Sequence, residues 1–207
     1  LTDGSPRHWT NEEKPLEGLL RVDGKTYRFL GVKNTILETI VPMADEGPWT
    51  AAISREKQAD GWQAPSFDDS KWKQEKGAFG SDGLSFVRTK WSKENSDLYV
   101  RRTVELTPAD LEGNLYLVYS HDDVFHIYIN GTEVANAGET WREGVKVELT
   151  DDMKKLLKPG KNVIASHCHN TTGGAYTDFG LYRNKSVEAA GTEKAVQKSC
   201  DVMATSS

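Results

Sequence analysis

The sequence predicts an all-β chain folded as a jelly-roll-like sandwich, with an N-terminal hairpin appended and little helix. Three observations carry this. Short runs of period-two alternation recur along the chain, turn signals separate them at intervals of about 8–12 residues, and helix-length periodic segments are scarce.

The elements follow in order. Gly18–Val22 and Lys25–Leu30 flank Asp23-Gly24, a dipeptide suited to a tight hairpin turn because both positions must accept positive φ. Ile36–Val41 is a further strand candidate. Residues 44–97 hold four of the six Trp and little clean periodicity. Within them Ala59–Gly80 reads as an ordered loop tacked down by Trp62, Phe67, Trp72 and Phe79. In Leu98–Leu106, Leu98, Val100, Val104 and Leu106 share one face, and Tyr99, Arg101, Thr103 and Glu105 the other. Leu115–Tyr119 and Val124–Ile129 are apolar on both faces, as in central strands. Asn130-Gly131 turns the chain into Glu133–Ala135, and Val145–Leu149, Asn162–His169 and Thr177–Tyr182 close the series. Helix is confined to Asp151–Leu157, with Thr150 as its cap and Pro159-Gly160 as its stop, and a single turn at Ala109–Gly113.

Composition excludes several function classes. Of the 207 residues 37% are hydrophobic, and no run approaches the roughly 18 apolar residues of a spanning helix. A net charge of −5 with scattered basic residues offers nothing to nucleic acid or an anionic membrane. Cys168 and Cys200 cannot build a disulfide framework or complete a zinc site, so they leave the compartment open. The start at Leu1 reads as a mature or trimmed end, and the C-terminus reads as cut within an alternating stretch.

The candidate ligand-binding residues are Asp122, Asp123, Asn130, Trp141, Tyr176 and Asp178. Asn170–Asp178 offers two glycines for close backbone approach, a Tyr face and a carboxylate, a mix that suits sugars. Asp122 and Asp123 are adjacent, so alternation sends them to opposite faces and denies them a facing acid–base role. Arg102 shares the apolar face with Val100 and Val104 and needs a carboxylate there; Asp122, Asp123 and Asp178 are the candidates. His167 and His169 project from one strand face at a spacing that can hold a metal, with His121 or His126 as a third ligand. The plainer reading is polar decoration, and no metal or cofactor is expected. No nucleophile elbow, phosphate loop or dinucleotide fingerprint is present. The sequons at Asn130, Asn170 and Asn184 are of a kind that arises often by chance.

Two resemblances emerge from these motifs. Gly61-Trp62, Phe67–Trp72, Gly77–Gly80, Tyr99–Arg102, His121–Asp123, Tyr128–Gly131 and Leu157–Asn162, in that order, resemble the galactose-binding-like β-sandwich of the sugar-binding domains of glycoside hydrolase family 2. Arg7–Thr10 and Leu19–Gly31, together with Ala195–Thr205, resemble the N-terminal region of the glutaminase A family. The resemblances imply an N-terminal segment at 1–43, a sandwich at 44–186, and a linker with the start of another β-rich domain at 187–207. They imply a non-catalytic module of a larger exported bacterial hydrolase, in the periplasm or at the cell surface. Its partners would be downstream domains of the same polypeptide, with a glycan as candidate ligand. A spacer without ligand, or part of an amidohydrolase whose catalytic residues lie mostly downstream, are the alternatives.

Overall fold

The structure, a computed structural model, describes residues 18–22, 24–29 and 36–185. The chain divides into two compact units, one of residues 1–38 and 184–207, the other of Thr39–Arg183.

In the first unit, β1 (Gly18–Val22) and β2 (Lys25–Phe29) form the expected antiparallel hairpin, closed at Val22↔Lys25 with Gly24 at φ +75°. The hairpin continues into the first residues of β3 (Ile36–Val41) through Phe29↔Ile36, and Lys25 Nζ meets Glu38 at 2.8 Å.

The second unit is a sandwich of two sheets. Its strands are the end of β3, β4 (Trp49–Ser54), β5 (Lys73–Gly77), β6 (Phe79–Gly80), β7 (Thr89–Lys90), β8 (Ser96–Leu106), β9 (Leu115–Asp122), β10 (Val124–Ile129), β11 (Thr132–Ala137), β12 (Arg142–Glu148), β13 (Gly160–Asn170) and β14 (Tyr176–Lys185). One sheet runs β11-β10-β13-β8-β4-β5, antiparallel throughout. In the other, β9 lies between β12 and β14, and β14 also carries β6, which pairs in parallel with β7.

Helix is as sparse as expected. A 3-10 turn at Pro108–Leu111 carries a reciprocal cap between Thr107 and Asp110. The helix α1 (Asp151–Lys154) is shorter than the sequence suggested, although Thr150 caps it and accepts from Met153 N. Four strands escaped the sequence reading, the two-residue β6 and β7 among them. β4 is small and almost wholly buried, so it shows no alternation, and β5 is a Lys- and Glu-rich edge strand paired only with β4.

Alternation builds the core. Leu98, Val100, Val104 and Leu106 of β8, Phe125, Ile127 and Ile129 of β10, and Ile164 and Cys168 of β13 meet Leu115, Leu117 and Tyr119 of β9, with Phe179 and Leu181 of β14. Each large apolar side chain so covered contributes about 1.5–3 kcal/mol. The outer face of the six-stranded sheet is covered as well. Trp62, Phe67 and Trp72 of the 59–72 segment pack on Tyr99, Tyr128, Val163 and Ala165.

Arg102 lies buried on the inner face, but the expected direct ion pair with Asp122, Asp123 or Asp178 does not form. Its Nη1 donates to Pro42 O at 2.8 Å and Phe179 O at 3.0 Å, and the guanidinium sits 4.3 Å from the Trp49 ring centre. Asp178 is already engaged, accepting from Ala44 N at 2.9 Å and Trp49 Nε1 at 3.2 Å. The indole therefore links cation and carboxylate, which act on each other only through space. Burial lowers Arg102 to about 10, so it stays charged at neutral pH. Burial raises Asp178 to about 7, against the pull of the Ala44 N–H and of Arg102.

Beside this cluster, Gly180 faces the carbonyl of Val41. A Cβ at Gly180 would fall 2.5 Å from that oxygen. Gly180→Ala should therefore cost about 1–3 kcal/mol or more, read as a lower urea midpoint with unchanged m. Asp178 gives a signed pH dependence. Its folded-state value near 7 exceeds its ordinary 3.8, so the fold holds the proton more tightly than the unfolded chain does. That stabilisation is complete below about pH 4 and is lost as pH rises toward 7. Urea midpoints between pH 4 and 7 should fall in the parent chain and flatten in Asp178→Asn. An unchanged slope in the variant would contradict the assignment.

Candidate functional site

The residues with chemical character gather at the end of the sandwich where β9 hands over to β10 and β13 to β14. Asp122 is the last residue of β9 and Asp123 the bend before β10 begins at Val124, so the acids straddle the strand end and the alternation that was to separate them does not apply. Asp123 Oδ2 accepts from Thr171 N at 2.8 Å and Thr172 N at 3.4 Å, fixing the loop that follows β13. Burial and the neighbouring Asp123 charge raise Asp122 to about 6.

Three further loops are tied to the same end. Glu94 Oε1 accepts from Gly173 N at 3.0 Å and Thr172 Oγ1 at 3.2 Å. Thr171 Oγ1 donates to Glu139 Oε1 at 3.4 Å, and Arg142 stands in register with His121. Ser81 exchanges hydrogen bonds with Ala175, donating through N and accepting at Oγ, both at 2.9 Å. Trp141, between Glu139 and Arg142, is 62% exposed. Leu84 and Phe86, on the Ser81 loop, are the other exposed large apolar side chains among the described residues.

The predicted residues thus divide. Asp122, Asp123, Trp141 and Tyr176 come to this end, but Tyr176 is not the open stacking face expected. It pairs with Asp122 across β9, packs at the margin of the core, and is half-buried, which drives its hydroxyl well above the ordinary range. Asp178 lies in the interior. Asn130 lies at the far end of β10, on the order of 20 Å away at about 3.3 Å per residue. There it is a structural staple. At φ +47° its Nδ2 donates to Leu156 O at 2.7 Å and Asn162 Oδ1 at 2.8 Å, and its Oδ1 accepts from Val163 N at 2.8 Å. Glu94 and Glu139 were not found from sequence, because nothing local marks a loop carboxylate that serves a backbone N–H 79 residues away or a threonine hydroxyl 32 residues away.

A second polar group lies on the outer face of the six-stranded sheet. His167 Nε2 and His169 Nδ1 both reach Asp97 Oδ1, at 2.7 and 3.0 Å. The His167 ring stacks on Tyr99 with centroids 4.4 Å apart, and His126 Nδ1 meets Glu133 at 3.2 Å. Burial works to raise Asp97, but the hydrogen bonds from the two imidazoles outweigh it and hold the carboxyl below its ordinary value. Among the described residues, no three His, Cys, Asp or Glu side chains stand as a ready-made metal cage, and no helix is long and apolar enough to cross a membrane.

Comparison with known proteins adds the following. A family described as "Domain of unknown function (DUF4964)" matches residues 1–42. No curated protein matches the chain. Among solved structures, a glycosyl hydrolase family 2 member from Bacteroides cellulosilyticus is similar at 17% identity and TM-score 0.47, over 64% of this chain and 20% of that one. A beta-glucuronidase of Bacteroides uniformis is similar at 19% identity and TM-score 0.46, over 65% and 18%. A beta-glycosidase from Bacteroides vulgatus is similar at 15% identity and TM-score 0.45, over 64% and 19%. The chain therefore spans about a fifth of the length of these proteins.

Proposed function

We propose that this chain is a non-catalytic β-sandwich module of a larger protein, and that it holds carbohydrate at the loop end around Trp141. The observation that carries the reading is the 62% exposure of Trp141 on a segment whose flanks are tied down by Glu139 and Arg142. An indole held in water offers an apolar face for the C–H side of a sugar ring. The acids beside it supply acceptors that do not move, because Asp123 and Glu94 are already fixed by backbone N–H groups. That structural use of the acids also supports a binding rather than a catalytic role.

The partners in this reading are the other domains of the longer polypeptide. Amide hydrolysis by that parent, and its export to the periplasm or cell surface, rest on the glutaminase A resemblance alone. The matching family over 1–42 assigns no activity. A second reading, docking of another domain without any ligand, is favoured by exposed Leu84 and Phe86 on the loop anchored at Ala175.

A glycan array followed by calorimetry on the 207-residue chain tests the first reading. At least one glycan should be retained, and Trp141→Ala should weaken it by about tenfold or more, the scale of one lost aromatic anchor, with the urea midpoint unchanged. Retention of no glycan, or equal affinity in the variant, would exclude it. Glutamine turnover by the chain would overturn the non-catalytic assignment.

A further inference from the structure

β9 carries one imidazole into the interior. Leu117, Tyr119 and His121 alternate toward the inner face, and His121 is fully buried beside the loop end. Its ring stacks on Phe125, with centroids 5.1 Å apart and 12° between planes, and tilts against Tyr119 at 5.7 Å. Nδ1 stands 2.7 Å from the carbonyl oxygen of Asp123. A carbonyl only accepts, so Nδ1 carries the proton and Nε2 is a bare acceptor. That Nε2 is buried and has no hydrogen-bond partner.

The groups around the ring leave a second proton poorly placed. Arg142 of β12 stands in register with His121, and its charge opposes another cation. The Asp123 charge favours one, but that carboxylate already accepts from Thr171 N and Thr172 N. Asp122, next along β9, points to the other face with Tyr176 as its cross-strand partner. Tyr119 on β9 and Cys168 on β13 are neutral, since burial raises both. Thr177 stands directly across on β14, and its hydroxyl is uncharged, buried and itself without a partner. Burial therefore prevails, helped by Arg142, and holds the imidazole below its ordinary 6.5 against the pull of the Asp123 carbonyl.

We propose that His121 is an acid-release latch for the loop end: a proton reaches Nε2 when the ring leaves the core, and that movement lets go of the 121–123 bend and of the loop after β13. One residue makes the connection. Asp123 gives its carbonyl to the ring and its carboxylate to Thr171 N and Thr172 N, so losing the first contact frees the second to move. Above about pH 7 the ring is neutral whether in or out, and the latch stays shut. Below about 6.5 a ring that has left the core takes a proton that the buried ring refuses, so the open form gains as pH falls. The sign is opposite to that of Asp178, which weakens the fold as pH rises. The latch rests on the hydrogen bonds of the loop end and holds whether or not a glycan sits at Trp141.

NMR on the 207-residue chain tests it, through amide-exchange protection of Thr171 and Thr172 and through the ring nitrogens of His121. His121→Asn is the comparison, because its amide nitrogen takes the place of Nδ1 and does not titrate. Asp122 and Asp178 titrate in both chains, so their effects cancel in the ratio of protection, variant over parent. From pH 7.5 to 5.5 that ratio should grow about tenfold, the gain in protonation of an opened ring of ordinary value over that interval. The parent ring should stay the neutral Nδ1–H tautomer throughout. Should His121→Asn fail to fold, Asp122→Asn removes the offsetting carboxyl, and the tenfold loss of protection should then be read directly in that chain. A ratio that does not grow would overturn the proposal, or, in the fallback, protection that does not fall. So would an Nε2–H tautomer at neutral pH, or a His121 ring that titrates at its ordinary value in the closed chain.

Discussion

Two consecutive buried guanidinium groups on β8 set the layering of the sandwich. Alternation sends Arg102 inward and Arg101 outward, and a buried cation without oxygen partners would cost several kcal/mol. On the inside, Arg102 is met by the carbonyls of Pro42 and Phe179 and by the Trp49 ring, which draws the 42–49 segment against β14. On the outside, Arg101 is met by Asp69 at 2.8 Å and by the carbonyls of Trp62 and Ala64. That second set pins the 59–72 segment over the outer face, where Phe67 lies 5.2 Å from the guanidinium. The apolar cores on both sides of the sheet then pack around fixed polar anchors.

Much of this was legible in the sequence and some was not, for reasons that differ by residue. The Leu98–Leu106 alternation, the Asp23-Gly24 and Asn130-Gly131 turns and the tacking by Trp62, Phe67 and Trp72 are local signals that the structure carries, whereas the loop expected over Ala59–Gly80 gives way to β5 and β6 and Phe79 belongs to the inner core. The need of Arg102 for oxygen was legible from its face, but the identity of the oxygen was not. Backbone carbonyls 60 and 77 residues away have no sequence signature, whereas a carboxylate does. Asn130 shows the converse. Its residue type suggested a ligand contact, but its amide is consumed in joining β10 to β13 and to the turn that follows α1. The acid pair at 122–123 was judged by strand rules that stop at the strand end.

The loop end gains order from that same turn. Asp123 accepts from the backbone N–H groups of Thr171 and Thr172 and Glu94 from that of Gly173, so the loop that carries Gly173 and Gly174 is held by fixed carboxylates. Glycine lets the backbone approach these carboxylates; Gly173 takes φ +75°, and a Cβ on Gly174 would lie 3.2 Å from Asp122 Oδ2. The rigid acceptors and the exposed indole at this end thus have one origin: loops fixed to one another by charge-assisted hydrogen bonds while their apolar side chains remain in water.

β13 shows how register assigns chemistry. In His167-Cys168-His169 the middle side chain faces inward, is fully covered, and lies within reach of the Asp122 and Tyr176 carbonyls. Burial pushes its thiol far above the ordinary range, so it offers no thiolate to a metal or an electrophile. The flanking imidazoles face outward, partly covered, with their nitrogens on Asp97. A slip of one residue against β8 would exchange these roles, placing a thiol on the surface and two imidazoles in an apolar core. The buried face of β13 itself forbids that slip, because it would turn Ile164 outward with Cys168 and drive His167 and His169 into the apolar core. The outward placement of His167 and His169 is therefore fixed by the packing of residues with no polar chemistry of their own.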